Sequence, residues 1–355
     1  MPPPNILLII SDEHSPNTIG CYGADFAITP NLDRLAQRGT LFEHAYCNHP
    51  ICVPSRNALM SGLQSYKIGA YDNGCPLASD LPTWAHMLAR AGFQTALDGK
   101  MHFLGPDQLH GFMEHWNETP SQIAGFRWGE ENPNGTAYKY FSTVHACDTP
   151  EDHTYWAKEE RIHAKALSFL REQDRAQPFC LTVGYNFPHY PMVCSKEALA
   201  LYDDVDIPAP ITGEALNPFH QHWAGPVWGF VHMTQEEVAA SRKAYMAMVT
   251  MLDAWIGEVL DCVEAEGFLD NTLIIYTTDH GDMWGEHGMW AKSVFYDDAA
   301  RVPLVCAGEA LGVRAGARIS TPVSLLDLYP TFRDAAGVAD WDVPLDGRSL
   351  WPALT

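Results

Sequence analysis

Asn5-Ile6-Leu7-Leu8-Ile9-Ile10-Ser11-Asp12-Glu13 opens the chain with an unbroken aliphatic run that ends in a hydroxyl and two carboxylates. A short run without polar alternation predicts a strand buried on both faces of a mostly parallel sheet. The pattern returns at 179–185, which ends in Asn186-Phe187-Pro188-His189, and at 273–276, which ends in Thr278-Asp279-His280-Gly281-Asp282. Shorter strands are expected at 95–97 and 302–306. Helical patterns lie between them. Thr29-Pro30-Asn31 starts one through Leu32, Leu35 and Ala36 that stops at Gly39, with cap, proline and glycine where a helix uses them. Another covers 80–91 and a third 324–336. The longest begins at Thr234, with Glu237 completing a capping box, and runs to about 266 before Gly267. Alternating strands and helices predict an α/β fold, a doubly wound, mostly parallel sheet flanked by helices, whose ligands gather at the carboxyl ends of the strands. Residues 106–152 are rich in Trp, Asn, Gly and His without periodicity. They read as an irregular insertion over the site, within one domain spanning 1–355.

The chain has 355 residues, 46% of them apolar, enough for a large core and too apolar for disorder. Lys and Arg number 22 against 44 Asp and Glu, a net charge of -22 that argues against a nucleic-acid partner. An anionic substrate would therefore need a local cluster of cations. Nine cysteines without regular spacing suggest neither a disulfide framework nor structural zinc. The start carries no basic region ahead of its apolar run, and nowhere do about 18 apolar residues follow one another. The expectation is a cytoplasmic protein with no membrane association.

Cys52-Val53-Pro54-Ser55-Arg56, running on to Leu59-Met60-Ser61-Gly62, places a cysteine ahead of a proline suited to the first turn of a helix. That puts Cys52 at a positive helix end. A lone Cys-x-Pro would read as an ordinary buried thiol. With Ser55, Arg56 and the Ser61-Gly62 ending in register, the stretch resembles the maturation signature of type I sulfatases of the alkaline phosphatase superfamily. The resemblance implies that a formylglycine-generating enzyme oxidises Cys52 to formylglycine. Its hydrate would attack sulfur through one hydroxyl and expel sulfate using the other.

Asp12 and Asp279 each follow a strand, so a parallel sheet could bring them together. Alone they would read as caps or turn formers. Oxygen ligands favour a hard divalent cation, Ca²⁺ foremost and Mg²⁺ or Mn²⁺ as alternatives. The resemblance implies the same site, with Asp12, Cys52, Asp279 and His280 as ligands. Glu13 stands where many members carry aspartate, which leaves its role open. Lys100-Met101-His102 resembles the family's Lys-x-His element, in which the lysine contacts sulfate and the histidine hydrogen-bonds formylglycine. Together with Gly105-Pro106-Asp107-Gln108-Leu109-His110-Gly111-Phe112, it looks specifically like choline sulfatases. His189 and Lys292 match the family's substrate-contacting His and Lys. One of the two would protonate the leaving alcohol, and the sequence leaves the choice open. Arg56 would hold nucleophile and ligands in place. Trp128 and His145 are candidate substrate contacts. Asp282, Glu286 and His287 read as a turn that satisfies itself, and the His220–His222 pair as no metal site.

The expected activity is hydrolysis of a small alkyl or aryl sulfate monoester, choline sulfate among them. Its partners would be that ester and the maturing enzyme, with homo-oligomerisation left open. Family members usually continue past Asp346-Gly347-Arg348-Ser349-Leu350 into a small antiparallel subdomain, which the reading takes as absent here. The rival readings are a phosphonate monoester or phosphodiester hydrolase of the same superfamily, a non-catalytic metal-binding remnant, and a thiol redox protein.

Overall fold

The computed structural model describes residues 3–117, 136–213, 216–339 and 341–355. An eight-stranded sheet forms its centre. In chain order the strands are β1 (Asn5–Asp12), β2 (Gly39–Phe42), β3 (Gln94–Gly99), β4 (Glu114–Trp116), β5 (Phe179–Pro188), β6 (Thr272–Thr278), β7 (Leu304–Ala307) and β8 (Ala317–Ile319). They lie in the order β8-β2-β7-β6-β1-β5-β3-β4. Strand β1 is central and parallel to both β5 and β6. The β5–β3, β3–β4 and β8–β2 pairs are also parallel, while β7 runs antiparallel to β6 and β2.

Residues 6–10 of β1 are wholly buried and face two cores by turns. Leu7 and Ile9 join the core on one face, with side chains of helices α1 (Pro30–Gln37), α4 (Thr154–Glu172) and α5 (Gln235–Ala265). Ile6, Leu8 and Ile10 join the other, with α2 (Cys52–Ser61), α3 (Trp84–Arg90) and α6 (Leu328–Ala335). Helices on both faces explain why the strand carries no polar residue from Ile6 to Ile10. The register then aligns the strand ends: Asp12 lies beside Pro188 of β5, and Ser11 beside Thr278 of β6. Asp12, His189 and Asp279 thus emerge side by side.

The capping box of α5 forms as read, with Thr234 and Glu237 exchanging hydrogen bonds. Other expectations shift. The helix predicted at 80–91 starts at Trp84, because the side chain of Thr83 caps it. The strand predicted at 302–306 is broken at Pro303 into Arg301–Val302 and Leu304–Ala307, since proline cannot donate to the ladder. The stretch read as irregular supplies edge strand β4 and a second short strand, Val144–Cys147. Pieces this short carry no detectable periodicity.

Two glycines let β3 and β5 deliver their loops at close range. Gly99 pairs with Gly184, and Lys100 N–H donates to the Gly184 carbonyl at 2.7 Å. A Cβ on Gly184 would sit 2.1 Å from the Lys100 carbonyl oxygen, and one on Gly99 would sit 2.2 Å from that of Gly184. Gly184→Ala is expected to push the Lys100 loop aside and to destabilise the fold by ~1–3 kcal/mol. Urea denaturation checks this, and an unchanged midpoint would contradict the packing account.

Candidate active site

Cys52 is the first residue of α2, with Ile51 before it in an extended conformation. Asn73 Oδ1 accepts the free Val53 N–H at 2.9 Å, and Pro54 in the first turn has no N–H to satisfy. Packing holds α2 against the strand ends, where every residue from Cys52 to Ser61 is buried. Ser55 Oγ donates to the Asp279 carbonyl at 2.6 Å.

Arg56 is wholly buried and ties three strand ends together. Its Nε donates to Asp279 Oδ2 at 2.8 Å and its Nη2 to Asp12 Oδ2 at 3.0 Å. Nη1 donates to the Lys100 carbonyl at 2.7 Å, and Nη2 also reaches the Ser11 carbonyl at 3.2 Å. Lys100 pairs with Asp12 as well. Asp12 is held well below the usual carboxylate range, because Lys100, His189 and Arg56 together outweigh a burial that would raise it.

The Cys52 sulfur lies 3.2 Å from His280 Nε2 and 3.8 Å from Asp12 Oδ1. His102 hydrogen-bonds it too, and the net effect on the thiol is strongly downward: burial raises it, but Lys292, Lys100, His280 and the His102 bond prevail. His280 Nδ1 lies 3.0 Å from the Gly281 carbonyl, so that nitrogen donates outward and Nε2 faces the cluster. Ligand atoms of Asp12, Cys52, Asp279 and His280 all fall within 4.8 Å of one another, and Asp12, Glu13 and His189 make a second such set. Burial pushes Glu13 and Asp279 above their usual range, with neighbouring carboxylates adding to it. A divalent cation fits these donors, since it would let crowded buried carboxylates stay ionised together.

Glu13 turns away from the Asp279 carboxylate. Its Oε2 lies 3.0 Å from Lys292 Nζ and 3.2 Å from His189 Nε2. Lys292 Nζ is also 2.9 Å from His189 Nε2, while His189 Nδ1 lies 2.6 Å from the Tyr190 carbonyl. These contacts describe a neutral imidazole that donates through Nδ1 and accepts from the Lys292 ammonium through Nε2. Burial and Lys292 accordingly push His189 down to about 4. Lys292 is driven up, because the anions around it overcome its burial. Four non-glycine residues here, Glu13, His102, Ala291 and Ser293, have φ between 61° and 75°. Such left-handed residues cluster at functional sites.

The structure therefore brings together Asp12, Cys52, Arg56, Lys100, His102, His189, Asp279, His280 and Lys292. His145 stands apart, on Val144–Cys147, with its ring against His153 and beside a surface pocket shared with Tyr140 and Pro191. Trp128 lies outside the described residues. Asp282 makes a local bond to the Trp284 N–H, but Glu286 corrects the expectation of a self-satisfied turn: it accepts from the Ile211 N–H at 2.7 Å and pairs with Arg242 at 3.0 Å, both distant in sequence. Sequence reading missed Tyr190, whose ring centre is 5.3 Å from Lys292 Nζ, and Asn73. Tyr190 adjoins His189 and was within reach; Asn73 carried no signal. Glu159 was missed as well, although a glutamate among Trp156, Ile162 and Ala166 on the buried helix face, which also carries His163, was a signal.

A family model described as Sulfatase matches residues 4–338. The chain belongs to the sulfatase family. The choline-sulfatase of Rhizobium meliloti is 36% identical over 369 residues, covering 99% of this chain and 71% of that protein. An N-acetylglucosamine-6-O-sulfatase of Bacteroides thetaiotaomicron is 28% identical, with 99% and 71% covered. The phosphonate monoester hydrolase of Agrobacterium radiobacter shares the fold, with a TM-score of 0.81, 24% identity, and 99% and 77% of the two chains covered.

His14, next in the β1 loop, is a second buried neutral histidine, with Nδ1 2.5 Å from the Tyr276 hydroxyl and burial pushing it down to about 3. Its folded value lies below the unfolded 6.5, so the unfolded chain takes up the proton first as pH falls. The stability due to its neutrality is present above about pH 6.5 and is lost progressively below. His14→Gln is expected to lose ~2 kcal/mol less than the parent between about pH 7 and about pH 5. Urea denaturation at both values decides, and equal losses would contradict it.

Proposed function

We propose that this sulfatase hydrolyses a small alkyl or aryl sulfate monoester, choline sulfate being the leading candidate, through a formylglycine at position 52. The observation that carries the reading is the setting of Cys52: its sulfur sits at a helix start, bonded to His102 and 3.2 Å from His280, with Asp12 at 3.8 Å. That sulfur stands in for the hydrated aldehyde. One hydroxyl would attack sulfur with loss of the alcohol, and loss of the proton from the other would expel sulfate and restore the aldehyde. Through its Cys52 bond, His102 is placed to take that proton. Lys100 and Lys292 supply the positive charge that the transferring sulfuryl group needs, in a protein whose net charge is -22. His189 and Lys292 form the unit that protonates the leaving alcohol, with Lys292 as its charged member. Arg56 positions Asp12 and Asp279. Asp12, Asp279 and His280 would hold a divalent cation, Ca²⁺ foremost, which would polarise the nucleophile and a sulfate oxygen when bound.

The identity with the choline-sulfatase supports the choice of substrate. A second reading, phosphonate monoester hydrolysis, draws on fold likeness to a second such enzyme from Silicibacter pomeroyi, with a TM-score of 0.77 at 25% identity. Comparing turnover of aryl sulfate with aryl phosphonate separates the two.

Co-expression with a formylglycine-generating enzyme is expected to lower the mass of the Cys52 peptide by about 18 Da, the change from thiol to aldehyde. Cys52→Ala should abolish sulfate-ester turnover while leaving the fold intact. An unmodified thiol, or full activity of the alanine variant, would sink the proposal.

A further inference from the structure

Glu159 is a wholly buried carboxylate on α4, outside the cluster described above, and it is fully engaged with the end of β5. Its Oε2 accepts the backbone N–H of Asn186 at 2.8 Å and that of Phe187 at 3.3 Å, while Oε1 accepts the Asn186 side-chain amide at 2.6 Å. These peptide groups lie where β1 stops matching β5 residue for residue: Ile10 pairs with Gly184, but Asp12 pairs with Pro188. The irregularity leaves backbone donors of β5 in need of a partner, and Glu159 provides it. One turn earlier on the same helix, the Tyr155 hydroxyl lies 2.8 Å from the His189 carbonyl and 3.2 Å from that of Asn186. His189 N–H in turn donates to the Asn186 carbonyl at 2.9 Å. The imidazole that meets Lys292 therefore hangs from a turn clamped on one side by a single carboxylate.

We infer that Glu159 is a positioning residue for the His189–Lys292 pair, fixing the Asn186–Phe187 backbone so that His189 Nε2 holds the Lys292 ammonium toward the leaving-group oxygen. This inference rests on the reading of that pair as the proton donor. It acts through His189 alone and makes no contact with the nucleophile, so its loss should appear in one step of the reaction.

The test uses matured enzyme and two probes, 4-nitrophenyl sulfate, whose leaving group needs little protonation, and phenyl sulfate, whose leaving group needs more. Glu159→Leu removes every acceptor. It is expected to lower kcat on phenyl sulfate by about tenfold or more and on 4-nitrophenyl sulfate by less than about threefold, a share of the usual general-acid contribution. Glu159→Gln keeps a carbonyl for both backbone N–H groups, and the Asn186 amide can turn to accept from its new NH₂, so this variant should restore most of the rate on phenyl sulfate. His189→Ala is run beside them, and rates are normalised to the folded, formylglycine-containing fraction. Equal losses on both esters in Glu159→Leu, with selective loss in His189→Ala, would overturn the positioning role while leaving the donor pair standing. An unchanged ester ratio in His189→Ala would overturn the donor reading itself, and the inference with it.

Discussion

The buried guanidinium of Arg56 is the constraint around which the site is built. It reaches two carboxylates and two carbonyls that belong to three different strand ends, and both carboxylates are wholly buried with it. Burying any one of these charges alone would be costly. Together, with Lys100 added to Asp12, they compensate one another. The helix that carries Arg56 begins at Cys52, so the ion pairs that stabilise the strand ends also set where the side chain of residue 52 stands, which is the proposed nucleophile. Stability and chemistry share the same bonds.

The charge arrangement follows from this. A protein with a net charge of -22 repels anions at long range, yet Lys100, Lys292 and Arg56 concentrate positive charge around one sulfur atom. Burial makes that concentration effective, because low-dielectric surroundings strengthen each interaction. Glu13 refines the pattern. Its side chain joins Lys292 and His189 while staying within 4.8 Å of a ligand atom of Asp12.

Much of this was legible in the chain itself. Residues 6–10 read as a doubly buried strand, and the Thr234–Glu237 capping box announced the longest helix. Asp12, His189 and Asp279 could be placed together because each follows a strand of a parallel sheet. What the sequence could not convey was set by tertiary contacts. The direction of the Glu13 side chain depends on Lys292, 279 residues away. Asn73 reaches the start of α2 from a loop with no periodicity, and β4 pairs through three residues only. Glu159 shows the intermediate case: a charged residue in an apolar helical face signals a buried role, but only the strand irregularity opposite it says which role.

The central claim is that one cleft joins residue 52, a divalent ion and the carboxylates that Arg56 holds. Anomalous diffraction from crystals of the matured protein grown with Mn²⁺ tests it most directly. The account predicts a single strong peak flanked by Asp12, Asp279 and His280 and in contact with the side chain at position 52. A peak elsewhere, or none at occupancies where the ion binds in solution, would contradict it.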